Sequence, residues 1–186
     1  KLKDNTYSWY TYHVGIDATA PEDYAIELNN SGGRVDNDEY WNDAAPSSSV
    51  FTLGDEGSNV LGSVPVIAYC FHSVEGYSKM GSYIGNGNAD GPYAYCGFEP
   101  AVVIIKQTSA SNWFIYDNKR GTYNVNGPYL IPSTSASEAT LASLDFLSNG
   151  FKIRHDGSGA VPINADAVDI MYIAFAESPF KYSNAR

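Results

Sequence analysis

The sequence predicts an all-β protein built from two tandem β-sandwich units. Short segments of alternating aromatic and β-branched residues recur along the 186 residues, and clusters of Gly, Pro, Asn and Asp separate them. No long segment with a helical period interrupts this pattern. Parts of the chain also repeat at nearly constant spacing, which indicates a duplicated unit.

The first half contains four predicted strands. Residues 8–13 alternate aromatic and other side chains, and residues 24–28 alternate again before the turn-forming run at 29–33. The third and fourth predicted strands are residues 50–53 and 64–71. In the fourth, Ile67, Tyr69 and Phe71 share one side of the extended chain, and the residues between them share the other.

The second half follows a glycine-rich joint at residues 72–97. The run Ala-Val-Val-Ile-Ile at residues 101–105 has the composition of a strand buried on both faces. The remaining predicted strands are residues 112–117, 129–131, 150–154 and 170–175.

Three ordered matches indicate the duplication. Trp9 matches Trp113 and residues 67–71 match 171–175, both at an offset of 104 residues. Residues 49–53 match 149–153 at an offset of 100 residues. We therefore predict a first unit at residues 1–80 and a second at 81–186, with the two repeated tryptophans in the cores. The first unit lacks a counterpart of residues 81–105. We expect it to keep an open edge, or to receive a strand from a neighbouring subunit or from outside this sequence.

Net charge excludes one class of partner. Eleven basic and twenty-one acidic residues give a net charge of −10, whereas nucleic-acid binding depends on clustered Lys and Arg. An acidic surface also disfavours anionic membranes, and no apolar run approaches the roughly 20 residues needed for membrane insertion. A charged fraction of only 17% with fifteen tyrosines is typical of β-sheet proteins on extracellular or particle surfaces.

The two cysteines leave two alternatives open. Cys70 and Cys96 each follow an Ala-Tyr pair, and two cysteines could form a disulfide or remain free thiols. We favour two buried thiols in neighbouring strands, because free cysteine is often fully buried. Lys1 is not a start methionine and no signal peptide follows it, so we expect the sequence to begin inside a longer chain or at a processed end.

Five phrases together resemble a known family. They are F-H-S-V-E-G-Y-S-K-x-G-S-Y-x-G-N-G at residues 71–87, D-G-P-Y at 90–93, G-F-x-P-A at 97–101, L-D-F-L-S-N-G-F-K at 144–152 and A-F-A-E-S-P-F-K-Y at 174–182. The chain resembles, over nearly its whole length, an uncharacterised tandem-repeat domain common in tailed phages, particularly aquatic ones. The resemblance implies a virion component, tail-fibre-like or similar to concanavalin-type sandwiches, and it implies no catalytic residues.

No catalytic, metal or cofactor site is predicted. His13, His72 and His155 lack metal-ligand spacing and have no nucleophile motif beside them. The acidic residues 36–39 lack the glycine and closing glutamate of a calcium loop, so a solvated loop is the favoured interpretation. The glycine-rich run 85–91 has no G-K-S/T ending, which makes it a turn rather than a phosphate loop.

Aromatic side chains near loops are the better functional candidates. Tyrosine and tryptophan offer a flat apolar face with a polar tip, which suits sugar rings and protein partners. The predicted ligand-binding residues are Tyr40, Trp41, Tyr77 and Tyr83.

These observations predict a non-enzymatic phage virion protein, tail-fibre-like or otherwise exposed on the particle surface. Its expected partners are other virion proteins, further copies of itself and host-surface glycans, without a cofactor. One alternative is a capsid-decoration or scaffold protein that binds no ligand. A less favoured alternative is a carbohydrate-active enzyme, which requires two carboxylates facing each other across a groove.

Overall fold

A computed structural model describes residues 1, 3, 6–54 and 65–179 of the chain. Within these ranges the protein is all-β, as the sequence predicts, and its strands form one large and one small antiparallel sheet. Helix in the same ranges is limited to the single turn α1, Asp38–Trp41, and a 3-10 turn at Pro21–Asp23. None of the helix described there has the length and apolar character needed to cross a membrane.

Eleven strands are seen in the described residues. In chain order they are β1 (Tyr10–Thr11), β2 (Tyr24–Glu27), β3 (Val35–Asp36), β4 (Ser78–Ile84), β5 (Tyr93–Tyr95), β6 (Pro100–Gln107), β7 (Phe114–Asp117), β8 (Asn126–Leu130), β9 (Ala139–Leu147), β10 (Gly150–Ile153) and β11 (Asp169–Ala176). The first three form the small sheet in the order β1-β2-β3. The other eight form the large sheet in the order β4-β11-β6-β7-β8-β9-β10-β5.

Strand β6 is covered on both faces, as its sequence predicts. Val103 and Ile105 belong to the main core on one side of the large sheet. Ile104 packs on the opposite side against a second, smaller core cluster. Continuous β-branched composition fits this position, since apolar residues pack on both faces, although Ala101, Val102 and Ile104 remain partly exposed.

The large sheet curls until it is nearly closed. Its two ends approach each other: the hydroxyl of Tyr172 in β11 donates to the Tyr95 carbonyl in β5 over 3.3 Å. The ring of Tyr83 in β4 lies 6.2 Å from that of Phe151 in β10, edge to face. The main core therefore fills the inside of the curled sheet.

Part of the predicted glycine-rich joint is instead strand β4. The structural reason lies at Gly81, which sits beneath the Tyr172 ring. A Cβ atom at position 81 would come within 2.7 Å of the Tyr172 hydroxyl oxygen. The glycine therefore permits a close approach inside a strand rather than breaking the strand.

The N-terminal residues pack on the outer side of the large sheet. Ile16 and Ile26 share the smaller core cluster with Trp113 and Met171. Trp113 is 1% exposed, and its indole Nε1 donates to the Glu27 carbonyl over 2.8 Å. Its predicted place in a core is confirmed. The matching prediction for Trp9 is wrong, because that side chain is only half-buried.

Buried polar contacts join the two sheets further. The Lys106 ammonium, on the outer side of β6, donates to the carbonyls of Gly32 at 2.9 Å and Ser111 at 2.5 Å. Burial lowers its pKa to about 8.

The predicted unit boundary after residue 80 lies inside β4. The described residues show one large and one small sheet, so two equivalent sandwiches are not confirmed.

Two predicted strands of the first half are wrong. Residues 50–53 are irregular, because Ser47 and Val50 close a tight turn and Gly54 hydrogen-bonds to Tyr40 of α1. Residues 67–71 form no strand either, and all five are exposed. Residue 64, the first of the predicted strand 64–71, lies outside the described residues.

Candidate functional site

The four predicted ligand-binding aromatics lie at three separate places. Tyr40 and Trp41 are neighbours on α1, Tyr77 precedes β4, and Tyr83 lies within β4. Their exposure also differs: Tyr40 and Tyr83 are buried, Trp41 is half-buried and Tyr77 is exposed. The fold therefore does not assemble them into a single surface.

Tyr83 is a residue of the main core. Its hydroxyl donates to the Ile163 carbonyl over 2.7 Å, and its ring packs near Phe151 and Tyr172. Burial raises the pKa of Tyr83 well above its ordinary value. Its position stabilises the closure of the curled sheet.

Tyr40 and Trp41 are oriented by the turn of helix on which they lie. The Asn37 side chain begins α1 by accepting the Glu39 backbone N–H over 2.8 Å. The Trp41 indole Nε1 donates to the Tyr24 carbonyl over 2.9 Å, which ties α1 to β2. The ring centroids of Tyr10 and Tyr40 are 4.6 Å apart. Local sequence thus places an aromatic pair beside the small sheet.

A small cavity of about 80 Å³ opens beside this pair, and we call it the aromatic pocket. Its polar and aromatic walls come from Tyr10, Glu27, Asn30 and Tyr40, with Gly33 among the remaining lining residues. The volume equals roughly two to three water molecules, at about 30 Å³ each. It suits one small polar substituent rather than a whole sugar ring, since drug-sized ligands occupy roughly 300 Å³ or more.

The aromatic pocket contains a hydrogen-bond acceptor, the Glu27 carboxylate, beside the protonated phenol of Tyr10. The Glu27 carboxylate accepts from the Ser8 hydroxyl over 2.8 Å and also from the Asn30 amide. Burial, followed by the neighbouring Tyr40 and Glu27, raises the pKa of Tyr10 to about 12. The Tyr10 hydroxyl therefore keeps its proton at neutral pH, while the carboxylate oxygens face hydroxyl or amide donors.

The acidic run and the histidines have structural roles. Asp38 and Glu39 occupy the first turn of α1, where carboxylates are favoured. His13 is buried, with Nε2 donating to the Tyr172 carbonyl over 3.0 Å and Nδ1 accepting the Gly15 N–H over 3.0 Å. Burial lowers the pKa of His13 to about 4. Throughout the described part of the chain, no three His, Cys, Asp or Glu side chains group as metal ligands.

The most unusual surface lies at residues 67–73, which we call the exposed segment. All seven consecutive residues, Ile-Ala-Tyr-Cys-Phe-His-Ser, are exposed. Tyr69 is 71% exposed and Phe71 is 64% exposed. Monomeric soluble proteins rarely display so continuous an apolar run, and such runs mark interaction surfaces.

Other aromatic rings extend this surface. The half-buried Trp9 stacks on Tyr69 with centroids 5.8 Å apart. Phe71 and Tyr77 both contact Phe175 edge-on, at 6.0 and 6.3 Å. Of the four predicted ligand-binding residues, Tyr77 therefore borders the exposed segment.

The exposed segment continues from a paired stretch of backbone. Ile67 donates to the Lys1 carbonyl over 2.9 Å, and Lys3 donates to the Pro65 carbonyl over 2.9 Å. The backbone of residues 68–71 makes no hydrogen bond to another described residue. Backbone polar groups of an extended segment are a template for pairing with another strand.

Cys70 lies at the middle of the exposed segment. Both cysteines are free thiols in this structure. Cys96 is buried as predicted, but the predicted burial of Cys70 is wrong. Burial raises the pKa of the Cys96 thiol to about 11.

Sequence reasoning missed both surfaces. Glu27 and Asn30 were not singled out as pocket residues, because only the folded chain brings them to Tyr10 and Tyr40. The exposed segment was interpreted as a strand. Residues 65–73 contain no Asp, Glu, Lys or Arg, which is the one unusual feature of this stretch that the sequence shows.

One comparison with known proteins gives a family. The sequence profile of a domain of unknown function, DUF7483, matches residues 1–179. The chain belongs to this family. No curated protein and no solved structure matches the chain.

Proposed function

We propose that the chain is a non-enzymatic structural protein of a phage virion, tail-fibre-like or otherwise exposed, which builds the particle surface by self-association. The observation that carries this proposal is the exposed segment. Seven consecutive residues without a charge contact solvent, although they include Ile67, Tyr69 and Phe71. Covering such side chains is favourable by roughly 25 cal/mol per Å² of apolar surface removed from water.

The virion location rests on the resemblance to tailed-phage proteins. The five phrases at residues 71–182 carry that resemblance. The proposal includes the tandem arrangement, with units at residues 1–80 and 81–186, and the internal matches support it. An incomplete first unit, completed by a neighbouring copy or by another virion protein, agrees with an exposed run in that unit.

Particle labelling tests the location, and light scattering tests the assembly. Antibodies raised against the folded chain should label purified virions in negative-stain electron microscopy. Multi-angle light scattering at physiological salt should give a mass that rises with protein concentration above 20.2 kDa. A monodisperse monomer over the accessible concentration range, together with unlabelled particles, would contradict the proposal.

A second candidate function is binding of host-surface glycans at the aromatic pocket. The favouring observation is the combination of Glu27 and Asn30 with the Tyr10 and Tyr40 rings around one cavity. Carboxylate and amide groups bind hydroxyl and amide substituents of sugars, and one such substituent fits a cavity of about 80 Å³. Glu27 is the one carboxylate among the described lining residues, whereas hydrolysis requires two, so binding rather than cleavage is proposed.

An array of neutral and N-acetylated glycans tests this second function. The wild-type chain should retain at least one glycan, and Glu27→Gln and Asn30→Ala should each weaken its binding at least tenfold. Tyr123→Ala, which changes an exposed tyrosine outside the aromatic pocket, is the matched control and should bind normally. A blank array from a chain that still assembles would favour the decoration or scaffold alternative.

A further inference from the structure

The register of the small sheet places four side chains of the aromatic pocket on one face. Tyr10 lies opposite Glu27, and Val35 lies opposite Ala25. Residues two apart in a strand share a face, and so do residues directly opposite each other in an antiparallel pair. Ile26 points to the other face and packs in the smaller core cluster, toward the large sheet. The aromatic pocket therefore lies on the face of the small sheet that points away from the large sheet.

The residues that line the aromatic pocket differ in exposure. Ala25 is 2% exposed and Tyr40 is 8% exposed, so these two form its interior. Asn30 and Val35 are exposed and form its rim. Glu27 is half-buried. The aromatic pocket thus combines a half-buried carboxylate with an apolar and aromatic interior and a rim that faces solvent.

One oxygen of the Glu27 carboxylate is available to a ligand. The Ser8 hydroxyl, at 2.8 Å, and the Asn30 amide both donate to Oε2. Among the described residues, none donates to Oε1. An ionised carboxylate accepts hydrogen bonds and donates none. A group that binds at Oε1 must therefore bring its own N–H or O–H.

The carboxylate is also held in place before a ligand arrives. The Asn30 side chain donates to Glu27 through its amide nitrogen, and its Oδ1 accepts the Gly32 N–H over 2.7 Å. The Ser8 hydroxyl provides the second contact to the same carboxylate. Binding at Oε1 therefore loses little side-chain entropy, since the acceptor is already ordered.

The volume of the cavity selects the size of the ligand group. About 80 Å³ is the space of two to three water molecules at about 30 Å³ each. A single hydroxyl leaves most of that space empty, and a whole sugar ring does not fit. An acetamido group, made of an N–H, a carbonyl and a methyl, has the intermediate size. It offers the N–H to Glu27 and the methyl to Ala25 and Tyr40.

We propose that the aromatic pocket binds the acetamido group of an N-acetylated amino sugar, with Glu27 Oε1 accepting the amide N–H. The inference rests on the glycan binding given above as the second candidate function and names the class of sugar. The methyl group packs in the interior against Ala25 and Tyr40, while the sugar ring stays outside at the rim. A sugar without the N–H leaves a half-buried acceptor unpaired, which is the source of specificity.

A free amino sugar is the main rival ligand. Its ammonium would pair with the Glu27 carboxylate, but it carries no methyl group to fill the interior. Burying a charge beside Ala25 and the Tyr40 ring is also costly. The uncharged acetamido group fits both the polar and the apolar part of the aromatic pocket.

Saturation-transfer NMR of the full chain tests the ligand. The probes are three methyl β-glycosides with the same ring, which are the N-acetylglucosaminide, the glucoside and the glucosaminide. The acetyl methyl protons should receive the strongest saturation, and the N-acetylated probe should bind more tightly than the other two by on the order of tenfold. Strongest saturation at the ring protons, or tighter binding of the glucosaminide, would overturn the inference.

A matched pair of variants tests the role of Glu27. Glu27→Gln keeps the size of the side chain and removes its charge, and the preference for the N-acetylated probe over the glucoside should fall below about threefold. Glu75→Gln removes an exposed carboxylate outside the aromatic pocket and should keep the wild-type preference. Circular dichroism should show that both variants are folded. An unchanged preference in folded Glu27→Gln would exclude Glu27 as the acceptor.

The outcomes separate this inference from the glycan binding on which it rests. If the glucoside binds as tightly as the N-acetylated probe, or if the array retains glycans while the N-acetylated probe does not bind, the inference fails and glycan binding stands. A blank array together with three unbound probes contradicts both. Preference for the N-acetylated probe that depends on Glu27 supports both.

Discussion

Residues 67–71 and residues 171–175 have similar sequences but opposite environments. The first run is Ile-Ala-Tyr-Cys-Phe and the second is Met-Tyr-Ile-Ala-Phe. The second lies in β11, between β4 and β6, and its Ala174 is 0% exposed. The first forms no strand and is exposed throughout. Apolar content therefore does not decide which run becomes a strand of the sheet.

The difference between the two runs is the presence of neighbours. Ile173 lies opposite Met80 of β4 on one side and Ile104 of β6 on the other. The backbone of β11 is thus paired on both edges, and its side chains meet packed residues on both faces. Residues 68–71 have no backbone partner among the described residues. The same pattern is buried within the sheet in one place and exposed in the other.

The largest expected effect comes from placing a carboxylate at equivalent positions of the two runs. Ala174→Asp buries an unpaired charge between β4 and β6 and should lower the free energy of unfolding by roughly 4 kcal/mol or more. Cys70→Asp should change it by no more than about 0.5 kcal/mol in the monomer, because position 70 is exposed. Urea denaturation at low protein concentration measures both changes.

Ala174→Ser serves as the matched control in β11. It adds a single uncharged hydroxyl group, so the free energy of unfolding should fall clearly less than it does for Ala174→Asp. Equal losses for Ala174→Asp and Cys70→Asp would show that the exposed segment is packed in solution. The comparison between the two runs would then be wrong.

The repeated tryptophans give the next largest effect. Trp113→Ala removes a fully buried indole and its hydrogen bond to Glu27, so the free energy of unfolding should fall by about 3 to 5 kcal/mol. Trp9→Ala removes a half-buried ring that stacks on Tyr69 and should cost about 1 kcal/mol. Thermal unfolding monitored by circular dichroism distinguishes the two. Similar losses would indicate that Trp9 also lies in a core.

Five strands of the second half, β6, β7, β8, β10 and β11, were predictable because they carry their signals locally, whereas β5 and β9 were not predicted. The apolar run at 101–105 predicts a strand with packed residues on both faces, and β6 contacts a core cluster on each face. Strand β4 was missed because Gly81 has the appearance of a breaker. Its function, to leave room for the Tyr172 ring, depends on a residue ninety-one positions away. Long-range steric requirements of this kind have no local signature.

The candidate site was less predictable, because exposure is a property of the assembled fold. Tyr40 and Tyr83 lie near residues typical of turns, which predicts exposed side chains. In the fold both side chains are buried. Tyr77 lies on the surface as expected for a ligand-binding residue. The exposed segment was interpreted as a strand because apolar side chains normally find cover. The hydrophobic pattern of a sequence does not reveal which residues bury those side chains.

The third effect is a pH dependence that arises at His13. Its pKa is about 4 in the folded chain and about 6.5 when unfolded, so the unfolded state binds more protons between these values. Stability is therefore lost as pH falls from about 6.5 to about 4, by up to about 3 kcal/mol at 1.36 kcal/mol per pKa unit. Urea midpoints at pH 7, 5.5 and 4 measure the loss.

Two variants isolate this contribution. His13→Gln keeps a donor for the Tyr172 carbonyl but does not titrate, so its stability should vary less with pH across the window. His72→Gln changes an exposed histidine and should retain the wild-type dependence. Asp17, whose pKa is lowered to about 2 by hydrogen bonds from Thr19 and Ala20, loses its contribution mainly below this window. An unchanged slope in His13→Gln would assign the pH dependence to other groups.

The smallest effect changes no stability and compares the two Ala-Tyr-Cys sequences directly. At pH 8 a thiol with a pKa of about 11 is ionised in on the order of one molecule in a thousand, and the Cys96 thiol is also buried. Cys70 is exposed, so Ellman's reagent should label one thiol rapidly in the native monomer and the second only in denaturant. Raising the protein concentration should slow labelling of Cys70 if the exposed segment is the surface of self-association, as the proposed function has it. Rapid labelling that is independent of concentration would place Cys70 outside any interface between copies.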